Sequence, residues 1–362
     1  MKTARPLILV VNPGSTSTKI AVFKGCDALF EETLEHDPAA LRTFAHVAGQ
    51  RDYREAAITR FLERHSLAAQ AFDLVIGRGG LLHPLPGGVY AVNAAMLRDL
   101  SRARYGEHAS NLGAIIAHRF ARAGRPRTPA YIANPVVVDE LSDVARLTGH
   151  PAIRRRSIFH ALNQKAVAER VAARMHKPYR RCRFVVAHAG GGISIGVHLN
   201  GRVVDVNNAL EGDGPFTPER TGALPLIPFY RYALEKKLSV GAAAALVSRR
   251  GGLLAHLGTN DCRQIVSRIR RGDSASRLAL EAFVYQLAKA LGAAAAALDG
   301  RVDAVILTGN VMKSGWILRR LRRKVGFIAP IHVITDNSEL AALAHAALGA
   351  WQGTRRVHTY YN

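Results

Sequence analysis

Near the start of the chain, two short apolar runs at residues 7–11 and 20–23 flank the polar loop N-P-G-S-T-S-T-K. Both runs are aliphatic and β-branched, and Pro13 and Gly14 stand where the chain must reverse, so the pattern predicts a β-hairpin. It recurs in the second half: an apolar run at 183–188, a glycine turn at 189–192, a returning run at 193–198, a turn at Asn200 and Gly201, and a third run at 202–206. Residues 11–15 and 187–191 hold the same position between their strands, so the chain reads as carrying a duplicated hairpin unit. Further strands are predicted at 28–33, 72–76, 130–133, 304–307 and 331–334. Helices are predicted at 38–48, 52–65, 93–101, 106–123, 238–248, 274–298 and 338–351. This alternation argues for an α/β fold.

At 362 residues, the length suggests two domains, each with its own core. With 48% hydrophobic and 21% charged residues the chain reads as globular. No apolar run is read as long enough for a membrane span, and five strong apolar residues after position 6 are too few for a signal-peptide core. Cys26, Cys182 and Cys262 lie far apart without a C-x-x-C pair, which reads as free thiols in a reducing, cytoplasmic compartment. The net charge of +23, from 50 basic and 27 acidic residues, raises nucleic-acid or membrane-surface binding. The basic clusters at 154–156, 180–183, 249–250, 268–271, 319–324 and 355–356 are scattered, without interleaved aromatics or a helix-turn-helix or zinc pattern. Neither nucleic acid nor membrane is therefore expected as a partner.

The first loop offers hydroxyls, turn-freed N–H groups and an ammonium. Asn12, Ser15, Ser17 and Lys19 thus suit a polyphosphate. A Walker A loop is excluded, because the G-x-x-x-x-G-K-[ST] spacing is absent and a strand follows. Alone, the loop is equally well an ordinary surface hairpin. The duplicate at 188–194 favours the phosphate reading, since two such hairpins, one per domain, can hold a nucleotide between them.

Two hairpins and a late strand ending in T-G resemble the superfamily of acetate and sugar kinases, chaperone ATPases and actin. Within it the chain resembles the acetate kinase family, in its butyrate kinase branch. The matching stretches include V-N-P-G-S-T-S-T-K (11–19), G-R-G-G-L-L (77–82), G-E-H-A-S-N-L-G (106–113), P-V-V-V-D-E (135–140), S-I-F-H-A-L-N-Q-K (157–165), V-A-H-A-G-G-G-I-S-I-G (186–196) and G-P-F-T-P-E-R (214–220). The resemblance implies two duplicated actin-like (ribonuclease H-like) domains with a nucleotide cleft between them. Residues 1–156 with 340–362 would form the N-terminal, carboxylate-side domain, and 157–339 the C-terminal, nucleotide-side domain. It implies reversible, direct in-line transfer of phosphate from ATP to a short-chain fatty acid, butyrate or a branched analogue. It further implies Mg²⁺ carried with ATP, a cytoplasmic location, and a homodimer or higher homo-oligomer. Two anions must approach, so such a site needs cations and a metal. The acceptor carboxylate is already ionised, so no strong base is needed.

Carried over position by position, Arg78 and Arg220 match the family's catalytic arginines, and Asp139 and Glu339 its metal- and phosphoryl-organising carboxylates. From the residues alone, the arginines read equally as surface groups, Asp139 as a helix cap and Glu339 as a first-turn partner of the helix dipole. His108, His160 and His188 match the active-site histidines, with His160 donating to the transferring phosphoryl. Gly190, Gly191 and Gly192 form the second phosphate loop, and Phe159 and Pro218 are candidates for an apolar pocket around the acid. A methylene in such a pocket discriminates by only about 1–3 kcal/mol, so acids of neighbouring length are not separated. One departure stands out: T-G-N-V-M at 308–312 replaces the family's T-G-G-I-A. Gly309 and Asn310 are the nucleotide-binding positions there. Asn310 can adopt the left-handed conformation and so retain the turn, although its side chain occupies space. The departure and the charge together keep open an alternative, a catalytically impaired member acting as a nucleotide- or nucleic-acid-binding module.

Overall fold

A computed structural model describes residues 5–336 and 338–361. The chain forms two compact units, Met1–Val138 with Ser338–Asn362, and Asp139–Asn337.

In the first unit β1 (Leu7–Pro13), β2 (Ser17–Lys24) and β3 (Asp27–Glu35) form an antiparallel meander. Next to β1 and parallel to it lies β4 (Leu74–Arg78); β5 (Val89–Ala91) runs antiparallel to β6 (Ala130–Ala133), which is parallel to β4. A terminal strand, Val357–Thr359, adds to β5 and completes seven strands. Ile8 to Val11 and Leu74 to Ile76 are fully buried, as expected of continuous aliphatic strands covered on both faces. The helices Asn111–Ala123 and Glu339–Trp351 pack against this sheet. The first of them approaches so closely that a Cβ on Gly77 would lie 2.0 Å from the Gly113 carbonyl oxygen, and one on Gly113 would lie 2.2 Å from that of Arg78. These glycines let the helix backbone rest on the end of β4.

In the second unit β7 (Arg183–Ala189), β8 (Ile193–Leu199) and β9 (Arg202–Val206) repeat the meander. β10 (Ala304–Thr308) is parallel to β7, and β11 (Ile331–Ile334) parallel to β10. The order β11-β10-β7-β8-β9 reproduces β6-β4-β1-β2-β3 of the first unit.

Several details differ from the sequence reading. The segment after Asp139 belongs to the second unit, whereas the expected boundary followed residue 156. The Ser142 amide donates to the Val204 carbonyl (2.9 Å) and Arg155 Nη1 to Asp205 Oδ1 (2.7 Å), fastening the segment along β9. At the other end Glu339 lies in the first unit, not the second. The helix expected at 38–48 is a short helix, Pro38–Arg42, then a separate 3₁₀ turn, Val47–Gln50. The helix Ser274–Ala296 is, at 23 residues, long and apolar enough to cross a membrane, against the expectation that no run approached that length. Its Leu280, Phe283, Val284, Leu287 and Leu291 are buried in the core of the second unit beside Ile195 and Val197, which makes it a core helix.

Candidate active site

The first hairpin turns tightly, with the Gly14 amide donating to the Ser17 carbonyl at 2.7 Å. Beneath it lies Arg54, fully buried. Its Nη1 donates to the Ser17 carbonyl (3.0 Å) and Thr18 Oγ1 (3.1 Å), its Nη2 to the Ser15 carbonyl (3.1 Å) and Gln50 Oε1 (2.9 Å). These acceptors are all neutral, and burial lowers the guanidinium pKa to about 10. The loop carbonyls are thus turned onto a buried cation, which favours anions at the loop. His36 completes the support: its Nε2 lies 2.8 Å from Thr18 Oγ1, and burial together with Arg54 lowers its pKa to about 4. Sequence reasoning missed Arg54. The signal was its spacing with Ile58, Phe61 and Leu62 on the buried face of the helix Arg51–Arg64.

Arg78 emerges at the end of β4, next to the end of β1. Its Nη1 donates to Glu339 Oε2 (3.0 Å) and reaches Asn12 Oδ1 (3.4 Å), while Asn12 Nδ2 donates to the same Glu339 oxygen at 2.8 Å. The structure therefore brings together three residues selected from distant parts of the sequence. Ser15 and Lys19 are exposed at the hairpin, Ser17 is half-buried, and His108 is exposed in the loop before Asn111, with Nδ1 2.8 Å from Ser110 Oγ.

In the second unit Gly190 to Gly192 join β7 to β8. Thr217 Oγ1 donates to the Gly191 carbonyl (2.6 Å) and accepts from the amides of Glu219 (3.1 Å) and Arg220 (2.9 Å), tying the G-P-F-T-P-E-R segment to the loop. The Arg220 guanidinium lies on Gly192, where a Cβ would come within 2.3 Å of Nη1. Nη1 donates to the Ala209 carbonyl, Nε is buried without a partner, and burial lowers the pKa of the group. Gly309 packs on Ala189 with φ 94°, and a Cβ there would lie 2.3 Å from the Ala189 carbonyl oxygen. Gly309, not Asn310, therefore takes the positive φ, and Asn310 begins the 3₁₀ turn Asn310–Lys313 with a negative φ. Asn310, expected to be able to retain the turn by adopting the left-handed conformation, does not adopt it in the structure.

A cavity of about 810 Å³ opens here, with Gly190, Gly191, Pro218, Asn310, Lys313 and Arg319 in its walls. Pro218, expected at the acid pocket, thus shares this cavity with Asn310. Phe159 is 2% exposed. A second cavity of about 730 Å³ has apolar walls that include Phe216, Phe229, Tyr232 and Leu278, and none of the residues selected from sequence lines it.

The rings of His160 and His188 stack with centroids 3.9 Å apart and planes 14° apart. His188 Nδ1 lies 2.9 Å from Asn163 Oδ1, and His160 Nδ1 lies 2.9 Å from Ser194 Oγ. Asp139 accepts from Arg146 Nη1 through Oδ2 (2.6 Å) and from the Leu141 amide through Oδ1 (3.2 Å). Arg146 was not singled out from sequence. Among the described residues no cluster of three or more His, Cys, Asp or Glu could hold a metal ion. A cation held by protein ligands alone does not fit this donor set. Mg²⁺ that keeps waters and phosphate oxygens and takes one or two carboxylates does.

Residues 150–340 match the Acetokinase family. The chain is 46% identical over 352 residues to a probable butyrate kinase of Enterococcus faecalis, covering 97% of this chain and 95% of that protein. It is 43% identical over 353 residues to butyrate kinase 2 of Clostridium acetobutylicum, covering 98% and 99%. Among solved structures, Porphyromonas gingivalis acetate kinase superposes with a TM-score of 0.77 at 18% identity, over 94% of this chain and 99% of that one. A propionate kinase from Francisella tularensis superposes at 0.75 with 20% identity, over 94% and 98%. The fold is accordingly a pair of duplicated actin-like domains, and the chain belongs to the acetokinase family.

Proposed function

We propose that this chain is an ATP-dependent carboxylate kinase of the butyrate kinase type, which phosphorylates a short-chain fatty acid to its acyl phosphate. The observation that carries the reading is Arg78, with Glu339 and Asn12, at the paired ends of β4 and β1. Phosphorylating a hydroxyl calls for a base at the acceptor, whereas an ionised carboxylate calls for a cation, and the end of β4 presents an arginine. Arg78 holds the acceptor carboxylate or the transferring phosphoryl bidentately, and Arg220 and His160 stabilise the charge spread over the phosphoryl oxygens. The Gly190–Gly192 loop and the cavity walled by Asn310 and Lys313 take the nucleotide. Mg²⁺ carried with ATP would be offered carboxylates by Asp139 and Glu339 and would neutralise charge on the phosphates. The alternative reading loses one support: with the positive φ at Gly309, the turn does not depend on Asn310.

Two finer readings go with this one. The helices Leu226–Glu235 and Val240–Arg249 contain no buried residue and expose Leu226, Ile227, Tyr230 and Leu234, a surface suited to a homo-oligomer. A cytoplasmic location follows from the need for ATP. Trapping acyl phosphate as hydroxamate, with butyrate, isobutyrate and isovalerate as acceptors, tests the activity, and sedimentation at several concentrations tests the oligomer. No hydroxamate with any acid would refute the kinase.

A further inference from the structure

We infer that a directional hydrogen-bond relay, from Tyr179 through His198, Gln164 and Ser194, fixes the tautomer of His160 so that its proton sits on Nε2. This rests on the reading that His160 serves as a donor to the phosphoryl group, and it adds the residues that make it one.

The direction of each link follows from what its atoms can donate or accept. Gln164 Nε2 lies 3.0 Å from the Ser194 carbonyl, which only accepts, so the orientation of the amide is set. The other Nε2 proton then goes to Ser194 Oγ at 2.8 Å, and Gln164 Oε1 is left to accept from His198 Nε2 at 3.0 Å. With its proton on Nε2, His198 accepts at Nδ1 from the Tyr179 hydroxyl, 2.7 Å away. Burial supports both assignments: His198 is held well below its ordinary pKa, hence neutral with one donor and one acceptor, and Tyr179 is held well above its own, hence protonated.

At the other end Ser194 is fully buried. Its Oγ receives the Gln164 amide and, at 3.4 Å, the backbone amide of His160. Both lone pairs are taken, so the hydroxyl proton must leave toward His160 Nδ1 at 2.9 Å. Nδ1 is therefore the acceptor and Nε2 carries the proton.

The backbone keeps room for this relay. Gly196 in β8 is the point where a Cβ would lie 2.3 Å from Gln164 Oε1 and 3.1 Å from His198 Nε2. A glycine in the middle of a buried strand weakens it, and here it makes space for two polar atoms. Ser194, Gln164 and His198 are thus positioning residues, acting on the reaction through His160.

The test is two-bond ¹H–¹⁵N correlation NMR on protein labelled at histidine nitrogen, with His160 assigned from the spectrum of His160→Asn. The wild-type chain should show His160 protonated at Nε2 and bare at Nδ1. Ser194→Ala removes the donor to Nδ1, and Gln164→Met frees an Oγ lone pair to accept from Nδ1. Each should give a mixture of tautomers, with kcat lower by about 10- to 100-fold and KM within about threefold, as for lost outer-shell partners of a working imidazole. A wild-type His160 protonated at Nδ1, or an unchanged tautomer in both variants, overturns the relay. The resting protein reports the tautomer without turnover. Failure of the wild-type chain to make any acyl phosphate would therefore overturn the kinase reading separately.

Discussion

Arg78 and Glu339, 261 positions apart in sequence, meet in a 3.0 Å ion pair whose carboxylate oxygen also accepts from Asn12. Glu339 thus presets the arginine. Arg78→Ala should lower kcat by roughly 100- to 1000-fold or more, as expected when a group stabilising transferred charge is lost. Its unfolding midpoint should hardly move, because the pair is partly solvated. Glu339→Gln keeps a hydrogen-bond acceptor and should cost less in kcat. The hydroxamate assay beside thermal melts distinguishes these outcomes.

The contact of Gly192 with Arg220 predicts a sharper result. Gly192→Ala places a methyl within 2.3 Å of the guanidinium nitrogen and must displace it. Turnover should fall nearly as far as in Arg220→Ala, and the double variant should be little worse than either alone, because both changes remove one function. Additive losses would show that the contact is incidental.

Arg54 predicts an effect on both stability and nucleotide binding. Arg54→Ala leaves the Ser15 and Ser17 carbonyls without their donor, which should cost about 2–6 kcal/mol, given about 1–3 kcal/mol per orphaned buried group. KM for ATP should rise as well, since the loop loses the cation beneath it. Denaturant unfolding and initial rates measure the two separately.

His36 gives the pH dependence. Its pKa is lowered to about 4 in the folded chain, so the unfolded chain takes up the proton first as pH falls. The stability from neutral His36 is complete above the unfolded value near 6.5 and is lost between there and about 4. The loss is about 3 kcal/mol at about 1.4 kcal/mol per pH unit. His36→Gln should flatten that part of the curve of stability against pH.

Cys262, which lines one cavity with Asn310, tests the proposed nucleotide position. Burial pushes its thiol up to about 11, leaving roughly one part in a thousand as thiolate at pH 8. Exposed Cys26 should be alkylated first, and ATP should slow the modification of Cys262 while leaving Cys26 unchanged. Mass spectrometry of alkylated peptides reads both.

The fold was legible where backbone pattern decides it. Both hairpins, the glycine turns and the buried strand at 304–307 lie where apolar runs and turn residues put them, and the strand expected at 72–76 is shifted two residues on, to Leu74–Arg78. The joining of Asn12, Arg78 and Glu339 is long-range, and only the motifs of the resemblance selected them together. Arg54 and Arg146 stayed hidden among the 50 basic residues, because an arginine's role depends on which carbonyls or carboxylates tertiary structure brings to it. The helices Leu226–Glu235 and Gly315–Val325 were not singled out either. The first exposes its apolar residues, and the second is crowded with arginines that mask its narrow buried stripe of Ile317, Leu321 and Val325.

The most direct test of the central claim is a panel of C2 to C6 carboxylic acids with ATP and Mg²⁺, trapped as hydroxamates, with Arg78→Ala run alongside. Acyl hydroxamate should form in dependence on both ATP and acid, with a preference among short-chain acids, and should be lost in the variant. No hydroxamate from any acid, or equal product from Arg78→Ala, would contradict it.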